Sequence, residues 1–221
     1  MTIWLATGNA HKKAELAFIL SAHGCKAPLM APADAGLAFC PDETEGDFHG
    51  NALLKARALR AALLAERSGG APLLGEGDPV IADDSGLCAD ALGGRPGVRS
   101  ARYRGPPGAW ALDRPPSDGE RCALLLAEME GMAERRARFA CAMALLLGPD
   151  RFFLAQETLE GEIVESAALA RGSGGFGYDP IFLLPGLGRT AAELSEAEKN
   201  ALSHRGKAGA RVAEALRGLG A

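Results

Sequence analysis

The longest apolar run in the chain, Phe139 to Leu147, is nine residues long. That is strand length, well short of the roughly 18 residues that a bilayer-spanning helix needs, so a membrane protein is not expected. Arg151 to Val164 follows it, and the two read as adjacent antiparallel strands, with Glu160-Gly161 as a possible turn. Thr2 to Ala6 and Val80 to Asp83 read as shorter strands, the second ending in the turn signal Asp84-Ser85-Gly86. Helical periodicity lies among them. Leu16, Ile19 and Leu20 share one face of a helix that opens after Thr7-Gly8-Asn9 and stops at Gly24. Ala52, Ala56, Leu59 and Leu63 form the apolar stripe of a second helix, from about Asn51 to Arg67, and the Gly- and Pro-rich stretch Ser68 to Pro79 reads as a loop. Ser117 with Glu120 and Ser195 with Glu198 are capping-box patterns that open two more helices, and Ser203 is placed to cap a last one running to about Arg217. Strands interspersed with helices, and no linker longer than a loop, argue for a single α/β or α+β domain over residues 1–221.

Composition narrows the function classes. With 48% hydrophobic and 24% charged residues and a net charge of −4, the chain buries a sizeable core and is not disordered. A mildly acidic chain lacks the broad basic face that a nucleic-acid polymer requires, so a phosphate ligand must be met by a local cluster of cations. Lysines number 6 against 18 arginines, which makes each lysine worth locating. The N-terminus reaches polar residues too soon for a signal peptide, so a cytoplasmic protein is expected. Five scattered cysteines, with no C-x-x-C pair, read as small buried apolar residues.

Five stretches could carry chemistry. In Thr7-Gly8-Asn9-Ala10-His11-Lys12 a Gly-containing turn joins a strand to a helix start, where backbone N–H groups, the helix dipole and Lys12 could meet a phosphate; the alternative is an Asn-capped helix with a solvated Lys. Asp83 and Asp84 end a predicted strand, and burial would raise the pKa of one of them unless a cation neutralises the pair; an Asp-Ser-Gly turn capping a hairpin is the plainer reading. Upstream, Asp42 and Glu43 either favour the N-terminus of the second helix or supply a second metal ligand, while Asn51 and Lys55 share one face of that helix. Gly172 to Gly177 satisfies G-x-G-x-x-G, but no helix follows it as a dinucleotide fingerprint requires. It suits instead a Gly tract delivering Phe176, Gly177 and Tyr178 beside Asp179 to a planar ligand, or else a core aromatic pair. Lys199, His204 and Arg205 place donors near helix starts, where they either read a carbonyl or phosphate oxygen or stay solvated.

Taken together, T-G-N-A-H-K, F-x-x-N-A-L-x-K-A, I-A-D-D-S-G-L, G-G-x-P-G-x-x-S-A-R-Y, G-G-F-G-Y-D-P-I-F and S-H-R-G-K-A occur in one order over nearly the whole chain. In this the sequence resembles the inosine/xanthosine triphosphate pyrophosphatase family. The resemblance implies a Mg²⁺-dependent enzyme that hydrolyses deaminated purine nucleoside triphosphates (ITP, dITP, XTP) to the monophosphate and pyrophosphate, clearing them from the nucleotide pool. It implies an elongated two-lobed α/β fold, with a long mixed central sheet flooring a cleft and flanked by helices, usually as a homodimer. By matching position, Thr7, Gly8, Asn9, Ala10, His11 and Lys12 would hold the triphosphate, with Asn51 and Lys55 nearby. Asp84 would be proton acceptor and metal ligand, Ser85 would lie beside the substrate, and Asp42 or Glu43 would share the metal. Phe176, Gly177, Tyr178 and Asp179 would stack on and frame the base, and Lys199, His204 and Arg205 would read its edge.

The chain departs from the family pattern at Glu45-Gly46-Asp47, in a longer loop over 66–79 and in a Pro-rich segment over 105–116. The implied reaction is in-line attack of water on the α-phosphorus, with buried donors that satisfy a 6-oxo group discriminating by up to roughly 10⁴-fold against a 6-amino base. Alternatives are a related pyrophosphatase for modified pyrimidine or methylated nucleotides, a phosphatase releasing orthophosphate, and a non-hydrolysing nucleotide- or RNA-binding module.

Overall fold

A computed structural model describes residues 1–218 apart from Gly69, Pro107, Trp110 and Leu112, so the Pro-rich segment over 105–116 lies partly outside the described residues. In chain order the regular elements are β1 (Ile3–Leu5), α1 (Ala10–Ala22), β2 (Leu29–Met30), α2 (Phe48–Ala65), β3 (Arg67–Ser68), β4 (Ala71–Pro72), β5 (Val80–Ala89), α3 (Asp118–Glu128), β6 (Arg136–Leu146), β7 (Phe152–Ile163), β8 (Phe182–Leu184), β9 (Arg189–Thr190), α4 (Glu196–Leu202) and α5 (His204–Arg217). Seven strands form one mixed sheet in the order β2-β1-β5-β6-β7-β8-β9. β1 pairs in parallel with β2 and β5, whereas β7–β8 and β8–β9 are antiparallel.

The chain forms two compact units, each discontinuous in sequence. The first comprises Met1–Asp84, Cys141–Glu157 and His204–Ala221, and the second Ser85–Ala140 and Thr158–Ser203. Strand alternation organises the first unit into three layers. Ile3, Leu5, Ile81, Cys141, Met143 and Leu145 point to one side of the sheet, where they meet Leu16 and Leu20 of α1 and Ala208, Val212 and Leu216 of α5. Trp4, Ala6, Val80, Ala82, Ala142 and Ala144 point to the other side, against Ala52, Ala56, Leu59 and Leu63 of α2. Leu59 and Leu63 are fully buried, which contributes about 1.5–3 kcal/mol each. In the second unit Cys122, Leu125 and Leu126 of α3, with Met129 just after it, pack on Leu87, Phe139, Ile163, Phe182 and Tyr178.

Both capping boxes are present, Ser117–Glu120 on α3 and Ser195–Glu198 on α4. Three expectations are corrected. Asp84-Ser85-Gly86 is no turn, because β5 runs through it; glycine at 86 allows the close pass of another segment, since a Cβ there would lie 2.3 Å from the Gly97 carbonyl oxygen. Glu160-Gly161 is no turn either, because β7 continues into pairs of Glu162 with Leu183 and Ile163 with Phe182. The second helix begins at Phe48, not near Asn51, since Asp47 caps it by accepting the Gly50 N–H at 2.7 Å. The loop expected over Ser68–Pro79 opens with a small hairpin, β3 against β4. Four of the cysteines are buried as expected, and Cys40 is exposed.

Candidate active site

Alternation along β5 sends Asp83 and Asp84 to opposite faces of the sheet, and each carboxylate finds its own cations there. Asp83 faces α1 and α5. Its Oδ2 accepts from Lys12 Nζ at 2.8 Å and from Arg205 Nε and Nη2, both at 3.3 Å. Burial alone would raise the Asp83 pKa, but Lys12, Arg205 and Lys55 outweigh it and hold the carboxyl well below the usual carboxylate range. Arg205, itself buried, reaches on to Glu15 Oε2 at 2.7 Å. Arg205 thus joins two carboxylates, Asp83 and Glu15.

Asp84 faces α2 and is 5% exposed. Oδ1 accepts from Lys55 Nζ at 3.0 Å and Oδ2 from Asn51 Nδ2 at 3.2 Å. Residues 51 and 55 lie one helical turn apart, so α2 aims an amide and an ammonium at the same carboxylate. Lys55 also donates to Glu43 Oε1 at 2.8 Å, which joins Glu43 to Asp84 through one cation, while Asp42 is exposed. Burial raises the Asp84 pKa; Lys55 pulls it back only in part, and the Glu43 charge adds to the rise. Burial disfavours the Lys55 ammonium, yet Asp84, Asp83 and Glu43 together raise its pKa.

The Thr7–Lys12 stretch behaves as a capped helix start. Asn9 Oδ1 accepts the N–H groups of His11 (2.9 Å) and Lys12 (3.3 Å), and Thr7 Oγ1 accepts the Asn9 N–H at 3.1 Å. Gly8, Asn9, Ala10 and His11 are exposed, so the turn remains accessible.

In the second unit Gly175 has φ +73°, and a Cβ there would lie 2.0 Å from Asp179 Oδ2. That carboxylate oxygen accepts the Phe176 N–H at 2.9 Å and Lys199 Nζ at 2.7 Å, and the Lys199 ammonium sits 5.0 Å from the centre of the Phe176 ring. Phe176 is half-buried. Tyr178 is a core residue, its hydroxyl donating to the Ser100 carbonyl at 2.9 Å, so the framing side chain expected there is taken up by packing. Ser85 is half-buried in β5, and His204 is buried at the start of α5.

A family model described as the Ham1 family matches residues 3–215. The chain belongs to the Ham1 family. It is 43% identical over 208 residues to a dITP/XTP pyrophosphatase of Treponema denticola, covering 94% of each chain. It is 43% identical over 218 residues to one of Ralstonia nicotianae, covering 97% of this chain and 96% of the other. Among solved structures it superposes on a HAM1 protein from Coxiella burnetii with a TM-score of 0.79 at 35% identity, covering 98% of both chains. The Ham1 protein of Staphylococcus aureus matches with a TM-score of 0.77 at 32% identity and 99% coverage of both.

Sequence reasoning missed Glu15, which lies three residues after Lys12 on α1, and the pairing of Asp83 with Lys12 and Arg205. The Asp-Asp pair was visible; that its members turn to opposite faces required knowing that the strand continues.

Proposed function

We propose that this chain is a nucleoside-triphosphate pyrophosphatase that hydrolyses deaminated purine nucleotides, ITP, dITP and XTP, to the monophosphate and pyrophosphate. One observation carries the reading: a nearly buried carboxylate, Asp84, with a raised pKa, is held by Lys55 and Asn51 and linked through Lys55 to Glu43.

Among the described residues no three His, Cys, Asp or Glu side chains converge as a metal cage. Two carboxylates joined through one cation do fit Mg²⁺, which is commonly held by one or two carboxylates together with substrate phosphates and water. Asp84 and Glu43 would hold it, with Asp42 the less suited of the two upstream acids. When bound, such an ion supplies charge compensation for the phosphates.

The rest is done by the chain's own groups. Asp84 orients a water and accepts its proton as the water oxygen bonds to the α-phosphorus and the bond to the bridging oxygen of pyrophosphate breaks. Lys12 and Lys55 balance charge on the leaving group, and the turn from Thr7 to His11 holds its oxygens. Arg205, through Asp83, keeps Lys12 in place. Ser85 lies next to the reacting end of the substrate. Phe176 offers a face for the base, with Gly177 and Asp179 shaping its loop. Lys199 and His204 supply donors to the base edge, where a 6-oxo group is satisfied and a 6-amino group is left badly paired.

The deciding experiment incubates the protein with ITP and Mg²⁺ and identifies the products. IMP with pyrophosphate supports the reading, whereas IDP with orthophosphate, or no turnover, ends it; ITP and XTP against dUTP and 5-methyl-UTP separates the pyrimidine alternative. Among the described residues no helix is long and apolar enough to cross a membrane. A cytoplasmic homodimer is the form that the family resemblance supports, and light scattering in solution tests the dimer.

A further inference from the structure

The backbone that presents Phe176 is gripped at two consecutive N–H groups, each by a different carboxylate. The Phe176 N–H donates to Asp179 Oδ2 at 2.9 Å and the Gly177 N–H to Asp118 Oδ2 at 2.6 Å. Cys122 Sγ lies 3.3 Å from the Gly177 carbonyl oxygen, and the Tyr178 hydroxyl is bonded to Ser100. These N–H groups belong to the two peptide planes on either side of the Phe176 Cα, one plane held by each carboxylate, and together the planes set the direction in which the Phe176 side chain leaves the chain.

The two carboxylates do different jobs. Asp179 is three residues downstream and shapes the loop from within. Asp118 is the first residue of α3, 59 positions away in sequence, and fastens the loop to a separate element. Its own orientation is set by an ion pair with Arg121, whose guanidinium also donates to the carbonyls of Pro116 (2.6 Å) and Ala101 (3.2 Å). The Asp118 side chain is 48% exposed, so it contributes little to the core. Nor does α3 need it as a cap, since Ser117 and Glu120 cap each other.

We infer that Asp118 is a positioning residue for recognition of the nucleobase, acting through the Gly177 N–H to hold the Phe176 ring in its stacking orientation. The inference rests on the proposed reading of Phe176 as the base platform. The partners of Asp118 named above lie in the second unit, whereas Lys12, Lys55, Asp84 and Glu43, assigned to phosphate, water and metal, lie in the first, so losing Asp118 degrades capture of the base and spares the chemical step.

The test compares wild type, Asp118→Ala and Asp118→Asn by steady-state kinetics on ITP, inhibition by inorganic tripolyphosphate and thermal melting. A charge-assisted hydrogen bond is worth about a factor of ten, so Asp118→Ala is expected to raise KM for ITP about tenfold with kcat within about twofold. The tripolyphosphate inhibition constant should stay at the wild-type value. Asp118→Asn should recover most of the KM, because its amide oxygen still accepts the Gly177 N–H. An unchanged KM in Asp118→Ala overturns the inference. So does a KM that rises only in step with the tripolyphosphate constant and a falling melting temperature, or an Asn variant as impaired as Ala. Wild-type turnover separates the two levels: without release of pyrophosphate from ITP the functional reading fails and takes this inference with it, whereas normal wild-type turnover with an unaffected Ala variant removes the inference alone.

Discussion

The Lys55 ammonium lies 3.0 Å from Asp84 Oδ1, and it simultaneously holds Glu43 at 2.8 Å. One buried cation thus keeps two carboxylates together. Lys55→Met removes it and leaves both acids facing a neutral side chain. Breaking a buried pair of this kind costs about 3–5 kcal/mol, and the partial exposure of Glu43 places this case at or below the lower end. If Asp84 and Glu43 hold Mg²⁺, the ion replaces the missing charge. The variant should therefore melt well below wild type in EDTA and gain more from added Mg²⁺ than wild type does. An equal Mg²⁺ shift in the two proteins would count against the metal assignment.

Asp84→Asn tests the base directly. The amide oxygen still accepts from Lys55, so the fold is retained, but the group no longer takes a proton from water. Turnover of ITP should fall by about 10²–10⁴-fold in a protein that still melts cooperatively. Wild-type-like turnover would remove Asp84 from the mechanism.

What could be read from the chain beforehand was what is local. Ser117 with Glu120 and Ser195 with Glu198 announce helix starts because both partners of the cap lie within one turn. The stripe of Ala52, Ala56, Leu59 and Leu63 shows the buried face of α2 by its period alone. Asn51 and Lys55 could be seen to share a face, but not that Asp84, 33 and 29 residues on, is what they hold. Asp84-Ser85-Gly86 has the composition of a turn, yet it is strand because β5 runs on through it to Ala89, next to β6 in the sheet order. Arg205 reaches Asp83 across 122 positions, a pairing that no window of sequence contains.

Gly86 supplies a prediction about the fold. A methyl group there would lie 2.3 Å from the Gly97 carbonyl oxygen and 2.5 Å from Ser100 Oγ. Ser100 Oγ also accepts the Leu87 N–H at 2.8 Å, so the segment cannot withdraw without losing that bond. Gly86→Ala should destabilise the protein by about 1–3 kcal/mol or more, as overpacking against backbone does. Urea unfolding measures it, and a midpoint equal to wild type would show that the segment moves freely.

The thiols differ sharply in access. Cys25, Cys88, Cys122 and Cys141 are buried, and Cys40 is exposed. Burial pushes the Cys122 thiol up to about 11 and the Cys141 thiol up to about 12, and it raises Cys88 as well. The thiolate is the reactive form. Native protein treated with iodoacetamide near neutral pH should therefore take up one adduct, at Cys40, and the remaining four only after denaturation. Mass spectrometry of intact protein and peptides checks this, and rapid native labelling at Cys88 or Cys122 would contradict the burial described.

Glu198 ties a pH dependence to the helix that carries Lys199. Arg189 lies 2.7 Å from Glu198 Oε1, and the Ser195 N–H and hydroxyl donate to Oε2 at 2.9 and 2.8 Å. Arg189 first, and then the Ser195 donors, lower the carboxyl from 4.5 to about 2. A pKa depressed in the folded state stabilises above the unfolded value and loses that contribution as pH falls through the folded one. Glu198→Gln keeps an amide oxygen for the cap but loses the charge. Its denaturant midpoint should lie below that of wild type at neutral pH, and the gap should start to close below about 4.5 and vanish near 2. A gap of constant size through that window would mean that the carboxylate charge contributes nothing there, and that packing alone holds α4 and Lys199 in place.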